Sequence, residues 1–331
     1  LGYFIDYLRF TIKIDTDIPG IATAYFYKYI NLEIEEGQVR KGVDGYKQGI
    51  YFPSGIKIMF DGMPGMGIHI IMPGLSLVSP HLECFDIHAL INKLKEDETP
   101  YNISRVDVAI DTEIDFSYFY NKYIKGQYSC RYDKKHCRQN VDANKRGTLY
   151  FGKRGGNTMF RIYDKALEQG IEDKVWTRIE LEAKGEVCEQ LINSLLDNTT
   201  KNIFLGHLRF VNERCENMGK AKTSKKYLEA LENPNQPIKL KGKKGGDNTL
   251  EWFENQVAPT LKALIKDYGK EYIANIIARS KISKTQQKKR FKLTIVETPT
   301  SYKMVNENGQ IEHGKKLSKE YIQMCIKDLA I

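Results

Sequence analysis

The segment ISRVDVAIDT, residues 103–112, alternates so regularly that few folds can hold it. Successive side chains of a strand point to opposite faces. Val106, Val108 and Ile110 therefore share one face, while Arg105, Asp107, Ala109 and Asp111 share the other. Such a strand needs an apolar layer on one side and a polar environment on the other. Two later segments make the same demand. In NTMFRIYDK (157–165), Arg161, Tyr163 and Lys165 oppose Phe160 and Ile162; in WTRIELEAK (176–184), Trp176, Arg178, Glu180 and Glu182 share a face. An antiparallel sheet covered by helices on one side satisfies all three.

The rest of the chain supplies the partners for such a sheet. FIDYLRFTIKI (4–14) predicts a strand and AYFYKYINLEIE (24–35) a helix. GIYFPSGIKIMF and MGIHIIMPG flank the turn pair Asp61-Gly62 and predict a hairpin. Helical spacing follows in 84–97, then the strand 103–112, a short helix over 116–124 and a polar loop from 125 to 146. RGTLYFG and TMFRIYDK predict a second hairpin around Gly155-Gly156, followed by the strand 176–184 and a helix over 186–196. The order strand, helix, hairpin, helix thus occurs twice, roughly 1–97 and 103–197, with an extra strand in the second copy.

The expected fold is α+β. A pseudo-two-fold pair of strand-helix-hairpin-helix units forms one antiparallel sheet with helices packed on it, and a partly helical C-terminal module follows. The expected divisions are 1–100 and 101–200 for the two units, 201–245 for a basic linker and 246–331 for the C-terminal module. That module predicts a helix over 250–279 interrupted at Pro259, a strand at FKLTIVE and a helix over 318–330.

Charge points to a partner. The net charge is +9, and residues 201–331 hold 26 Lys and Arg against 14 Asp and Glu, a net of +12. Residues 1–200 hold 25 against 28, a net of −3. A basic tail on a slightly acidic body suits a polyanion. Lys241, Lys243 and Lys244 close a lysine-dense run that begins at Lys220. No apolar run approaches the roughly 20 residues that span a bilayer. The six cysteines lack CxxC spacing, which suits free thiols in a reducing compartment, so a cytoplasmic location is expected. Cys130, His136 and Cys137 lack a fourth ligand for zinc.

The polar faces of the three alternating strands have two readings. One is a water-facing sheet laced with ion pairs. The other is a site that breaks phosphodiesters: a tyrosine hydroxyl as nucleophile, carboxylates holding Mg²⁺ or Mn²⁺, and arginines and lysines clamping the phosphate. On the second reading Tyr163, Arg161 and Lys165 are catalytic. Asp107, Glu180 and Glu182 are the metal ligands, with Asp111 and His69 as secondary candidates. Arg105, Lys153, Arg154, Arg178 and the three lysines at 241, 243 and 244 contact DNA. His69 stands alone between Ile68 and Ile70, a setting that usually holds a packed imidazole.

TLYFGKRGGNTMFRIYDKALEQG followed by WTRIELEAK resembles the signature of the Rep_trans family, which comprises rolling-circle plasmid replication initiators and relaxases of integrative conjugative elements. IDYLRFT, RVDVAIDT and LEWFENQVAPTLKAL (250–264) are also similar, the last two more to the relaxases. The resemblance places the nicking tyrosine at Tyr163, the acidic positions at Asp107, Glu180 and Glu182, and the basic hairpin positions at Arg154, Arg161 and Lys165. Asp164 stands where the family pattern has Asn, and Gly155-Gly156 replaces a more polar turn. Asp164 is expected to point away from the Tyr163 face.

The resemblance implies a strand-specific DNA nickase that leaves a 5′-phosphotyrosine at an origin. Its partners would be origin DNA, single-stranded or hairpin at the nick, a host helicase, a conjugative coupling protein under the transfer reading, and a second copy in a homodimer. The alternatives are a non-catalytic basic DNA-binding protein, or a metal-dependent nuclease that activates water.

Overall fold

The structure, a computed structural model, describes residues 2–30, 36–74, 85–212, 221–241, 253, 257–279 and two short strands at 303–305 and 311–313. The chain forms two compact units, Leu1–Lys244 and Gly245–Ile331.

The first half of unit one contributes β1 (Phe4–Ile12), α1 (Pro19–Tyr29), β2 (Gln38–Lys41), β3 (Gln48–Tyr51), β4 (Lys57–Phe60), β5 (Ile68–Pro73) and α2 (Ile87–Glu96). The second half contributes β6 (Tyr101–Thr112), α3 (Phe116–Ile124), β7 (Tyr128–Cys130), β8 (Cys137–Val141), β9 (Gly147–Phe151) and β10 (Thr158–Asp164). After these come α4 (Lys165–Glu168), β11 (Thr177–Lys184) and α5 (Cys188–Leu196).

Ten of these strands form one antiparallel sheet in the order β2-β3-β4-β5-β1-β6-β11-β10-β9-β8. Outward from the β1–β6 seam the order is β5, β4, β3, β2 on one side and β11, β10, β9, β8 on the other. Each half is therefore a strand, a helix and a four-stranded meander whose last strand returns beside the first. The pseudo-two-fold α+β arrangement expected from the sequence is present.

One face of the sheet is the core. Leu8, Phe10, Ile58, Ile70, Val106, Val108, Ile162, Ile179 and Leu181 belong to one buried cluster with helix residues such as Phe26, Leu90, Phe119 and Leu191. The helices deliver their apolar sides by ordinary local rules. Asp86 caps α2 by accepting from His88 N at 2.8 Å, and Ile87, Leu90, Ile91 and Leu94 are buried at helical spacing. Asp115 does the same for α3, accepting from Ser117 N at 2.7 Å. Pro19 opens α1, where its missing N–H costs nothing.

The chain then adds α6 (Thr200–His207), β12 (Leu208–Phe210) and α7 (Lys225–Ala230). β12 pairs with β7, and Phe204, Leu208, Phe210 and Tyr227 are buried in the same core. The stretch expected as a basic linker thus places its described apolar residues inside the first unit, with its lysines between these anchors. In the second unit lie α8 (Ala258–Tyr268), α9 (Lys270–Arg279) and the paired strands β13 (Lys303–Val305) and β14 (Ile311–His313).

Several elements differ from expectation. The first helix begins five residues earlier, at Pro19, and ends at Tyr29; residues 31–35 lie outside the described residues. GIYFPSGIKIMF divides into β3 and β4 around Pro53–Gly55, since Pro cannot donate to a ladder. The extra strand is not confined to the second half, because β2 and β3 match β8 and β9. The polar loop 125–146 contains β7 and β8: strands of three and five residues with one neighbour each are too short to show a period. Pro259 lies in the first turn of α8, with residues 254–256 outside the described residues, and a further break falls at Gly269, which has φ 83°. FKLTIVE and the 318–330 helix lie outside the described residues, as do Lys243 and Lys244. Among the described residues no helix is long and apolar enough to cross a membrane.

Candidate active site

Cross-strand neighbours share a face, so register shows what meets Tyr163. It stands opposite Arg178 on β11 and Thr148 on β9; Arg161 stands opposite Glu180 and Tyr150. β11 continues the rows onto β6, pairing Arg178 with Asp111, Glu180 with Ala109 and Glu182 with Asp107. All of these lie on the face away from the core cluster, the side without helices. All but Ala109 and Glu182 line a cleft of about 930 Å³ together with Asp6, Tyr7, Lys165 and Trp176.

The sequence missed Asp6, which alternation would turn inward with Leu8 and Phe10. A bulge between Ile5 and Tyr7 breaks the register of β1 against β6. It turns Asp6 into the cleft, where Arg178 donates to it at 2.6 Å. The signal available in the sequence is a polar residue at an inward position of an otherwise regular strand.

The charges are tightly paired. Asp107, Glu180 and Glu182 are 1–3% exposed. Arg105 donates to Asp107 at 2.8 Å and pairs with Glu182 at 2.8 Å. Arg161 donates to Asp107 at 2.9 Å and also to Glu180. Lys184 pairs with Glu182 at 2.7 Å. Arg178, expected to meet DNA, is buried and held between Asp111, at 2.7 and 2.9 Å, and Asp6. At 7% side-chain exposure between two carboxylates this guanidinium is turned to positioning its neighbours, whereas Arg105 and Arg161, at 20% and 23%, keep part of their surface open.

Burial pushes the Tyr163 hydroxyl well above its usual range. The charges of Glu180 and Asp6 add to this and Arg178 opposes it, so the phenol is neutral. Burial likewise raises the Glu180 carboxyl, against the pull of Arg161, and raises Asp6 against that of Arg178. One donor is left over. Arg161 Nε is buried and has no hydrogen-bond acceptor among the described residues.

Lys165 is not a strand residue: β10 ends at Asp164, and Lys165 opens α4. Its ammonium stays near, 5.7 Å from the centre of the Tyr163 ring, and pairs with Glu168. Asp164 caps α4, accepting from Leu167 N at 2.9 Å, and pairs with Arg146 at 2.7 Å. Asp164 also borders the cleft.

Lys153 and Arg154 are exposed in the β9–β10 turn. Gly156 N donates there to Lys153 O at 2.9 Å, and Gly155 has φ 82°, the positive value this turn requires. Lys241 is elsewhere: its backbone bonds the side chain of Gln190 on α5, in the helical layer. His69 lies four strand positions from β10, sharing a 2.9 Å hydrogen bond with Thr11 Oγ1 and stacked on Tyr46. It is a packed imidazole.

The carboxylates expected to bind Mg²⁺ or Mn²⁺ are those the arginines hold. Among the described residues no three His, Cys, Asp or Glu side chains are arranged to hold a metal ion. The arrangement therefore does not fit one. The sulfurs of Cys130 and Cys137 lie 3.7 Å apart and face each other.

Residues 101–279, more than half of the chain, match the Rep_trans family, described as a replication initiation factor. The chain belongs to the Rep_trans family. That span takes in β6, β10 and β11, the strands on which the cleft is built. Among solved structures, the fold of this family member is similar to that of a rolling circle replication initiator protein from Geobacillus stearothermophilus. The likeness has a TM-score of 0.59 at 22% identity, over 73% of this chain and 99% of that one. A TATA-binding protein from Methanococcus jannaschii aligns at 10% identity over 60% of this chain and 99% of that one, with a TM-score of 0.25. No curated protein matches the chain.

Proposed function

We propose that the chain nicks one DNA strand at a replication origin, with Tyr163 as nucleophile. The tyrosyl oxygen attacks the phosphorus, a Tyr163 O–P bond forms and the P–O3′ bond breaks. The protein is left on the 5′ phosphate and a 3′-OH is free. The phenolic proton passes to a carboxylate, for which Glu180 and Asp6 are the candidates, and the departing 3′ oxygen takes up a proton. Attack by a 3′-OH on the phosphotyrosine reverses the step and reseals or transfers the strand. Arg161 and Lys165 carry the charge that develops on the phosphate.

The observation that carries this reading is the neighbourhood of Tyr163. The residue sits in an open cleft beside a buried donor, Arg161 Nε, that has no acceptor among the described residues. Membership of a replication initiation factor family and a fold like that of a rolling circle initiator support the rolling-circle form of the reaction. The partners proposed are origin DNA, a host helicase and a second copy of the chain, in the cytoplasm. A coupling protein belongs to the transfer variant. Residues 101–200 are proposed as the unit that carries the site. Mg²⁺ or Mn²⁺, expected of the family, would have to release Asp107, Glu180 or Glu182 from their arginines.

Supercoiled plasmid carrying the origin tests this, with and without Mn²⁺, by nicked product and by a protein–DNA adduct stable to SDS. The wild type should give both, and Tyr163→Phe should give neither. A Tyr163→Phe protein that nicks like the wild type would sink the proposal.

A further inference from the structure

The open face continues past the cleft onto β5, β4, β3 and β2 of the first half. Register defines a row across it: Gln38, Tyr51, Lys57, Ile71, Arg9, Arg105 and Lys184 are successive cross-strand partners from β2 to β11. Tyr51 has cations on both sides, with Arg40 5.8 Å and Lys57 5.6 Å from its ring centre. Tyr7, one step along β1, has Arg9 at 5.5 Å and Arg105 at 4.4 Å. Tyr51 and Tyr7 are half-buried, so each offers part of its ring to solvent.

Folding alone does not call for this pattern. Arg9 and Arg105 stand directly opposite each other across the β1–β6 seam, and facing like charges destabilise a ladder. Asp44 pairs with Arg9 at 3.2 Å, which offsets part of the repulsion. Arg105 lines the cleft and binds Asp107, which lines it too, so the row runs into the site. Two half-exposed rings, each flanked by cations and set on either side of the buried Ile71, match a polyanion carrying flat, unstacked bases.

We propose that single-stranded DNA flanking the nick lies along this row, with bases stacked on Tyr51 and Tyr7 and phosphates held by Lys57, Arg9 and Arg105. The proposal rests on the nicking reading for the strand's origin, and on the geometry of the row for its binding. Four strand spacings separate Tyr51 on β3 from Arg105 on β6, roughly 19 Å of track. Duplex DNA keeps its bases stacked inside and cannot use the rings. The first half of the sheet thus becomes the part that holds the displaced strand while the second half cuts.

The test is fluorescence anisotropy of the full chain with a labelled oligothymidylate of about 16 nucleotides, and with a duplex of equal length. Tyr51→Ala should weaken single-strand binding between about 5- and 150-fold, and Tyr51→Phe should retain it. Lys57→Ala and Arg40→Ala should weaken it and flatten its salt dependence. Lys95→Ala, on the helical side, should not. Thermal unfolding of each variant checks the fold; if Tyr51→Ala does not fold, Lys57→Ala and Arg40→Ala decide. Wild-type affinity in the folded row variants, or equal loss with Lys95→Ala, overturns the proposal. Loss that falls equally on duplex overturns the single-strand assignment. Nicking is scored separately: a chain that nicks without Tyr163 but loses oligothymidylate binding with Tyr51→Ala refutes Tyr163 as the nucleophile and leaves this proposal standing.

Discussion

The two halves of the sheet share a topology and differ in what they place on the open face. On β4 and β5 that face carries Lys57, Met59, His69 and Ile71, and Met59 and Ile71 are buried in a small cluster with Tyr46. The corresponding strands β10 and β11 carry Arg161, Tyr163, Arg178, Glu180 and Glu182. The first half covers the part of its open face around Met59 and Ile71 with a loop and apolar contacts and leaves Tyr51 and Lys57 half-exposed, whereas the second fills it with paired charges. A duplicated scaffold can therefore be stable with either filling, and the chemistry is free to concentrate in one.

The largest effect expected from this contrast is on stability. Arg161→Ala leaves Asp107 and Glu180 buried without the guanidinium that binds both, and should cost about 3–5 kcal/mol by chemical denaturation. In the first half, Lys57→Ala removes a half-exposed cation and should shift stability by less than about 0.5 kcal/mol. Equal losses from the two would mean that the halves do not differ as described.

pH sharpens the comparison. Burial holds the His69 imidazole down to about 4, so the folded protein keeps it neutral while the unfolded chain takes up a proton near 6.5. The unfolded state then binds more protons between these values. The contribution of His69, roughly 3 kcal/mol, is present above pH 6.5 and is lost as pH falls towards 4. His207, buried in the helical layer and also held to about 4, adds a loss of the same sign. His69→Gln should flatten the pH dependence of the unfolding midpoint across this window, and Tyr163→Phe should not.

A smaller effect is expected at the bulge. Asp6→Asn keeps the shape but removes one of the two carboxylates that hold Arg178, and should cost about 1–3 kcal/mol. Because Arg178 stands opposite Tyr163, the same variant should slow adduct formation more than it weakens DNA binding. Unchanged adduct kinetics would place Asp6 outside the site.

Much of this was legible in the sequence, for a physical reason. Asp107, Arg161, Tyr163, Glu180 and Glu182 converge because period-two alternation assigns faces and hairpin order assigns neighbours. Asp6 was hidden because a bulge breaks that period, and its one mark in IDYLRFT is a polar residue at a position that alternation turns inward. The partnering of Arg178 and of the three buried carboxylates was hidden as well, since alternation says which residues share a face and not which ones bind. β8 was missed because an edge strand has only one neighbour and needs no apolar pattern.

The smallest effect belongs to the exposed tip of the β9–β10 turn. Lys153 is solvent-exposed, so Lys153→Ala should leave stability within about 0.5 kcal/mol of the wild type. If the turn meets a phosphate, the variant should weaken DNA binding uniformly across sequences. The slope of log affinity against log salt should then fall by about 1. Lys241→Ala, in the helical layer, should leave that slope unchanged because its backbone is tied to Gln190 on the far side of the sheet. A reduced slope for Lys241→Ala and an unchanged one for Lys153→Ala would move the DNA to the helical face, and would remove the ground for treating the two halves of the open face as one surface.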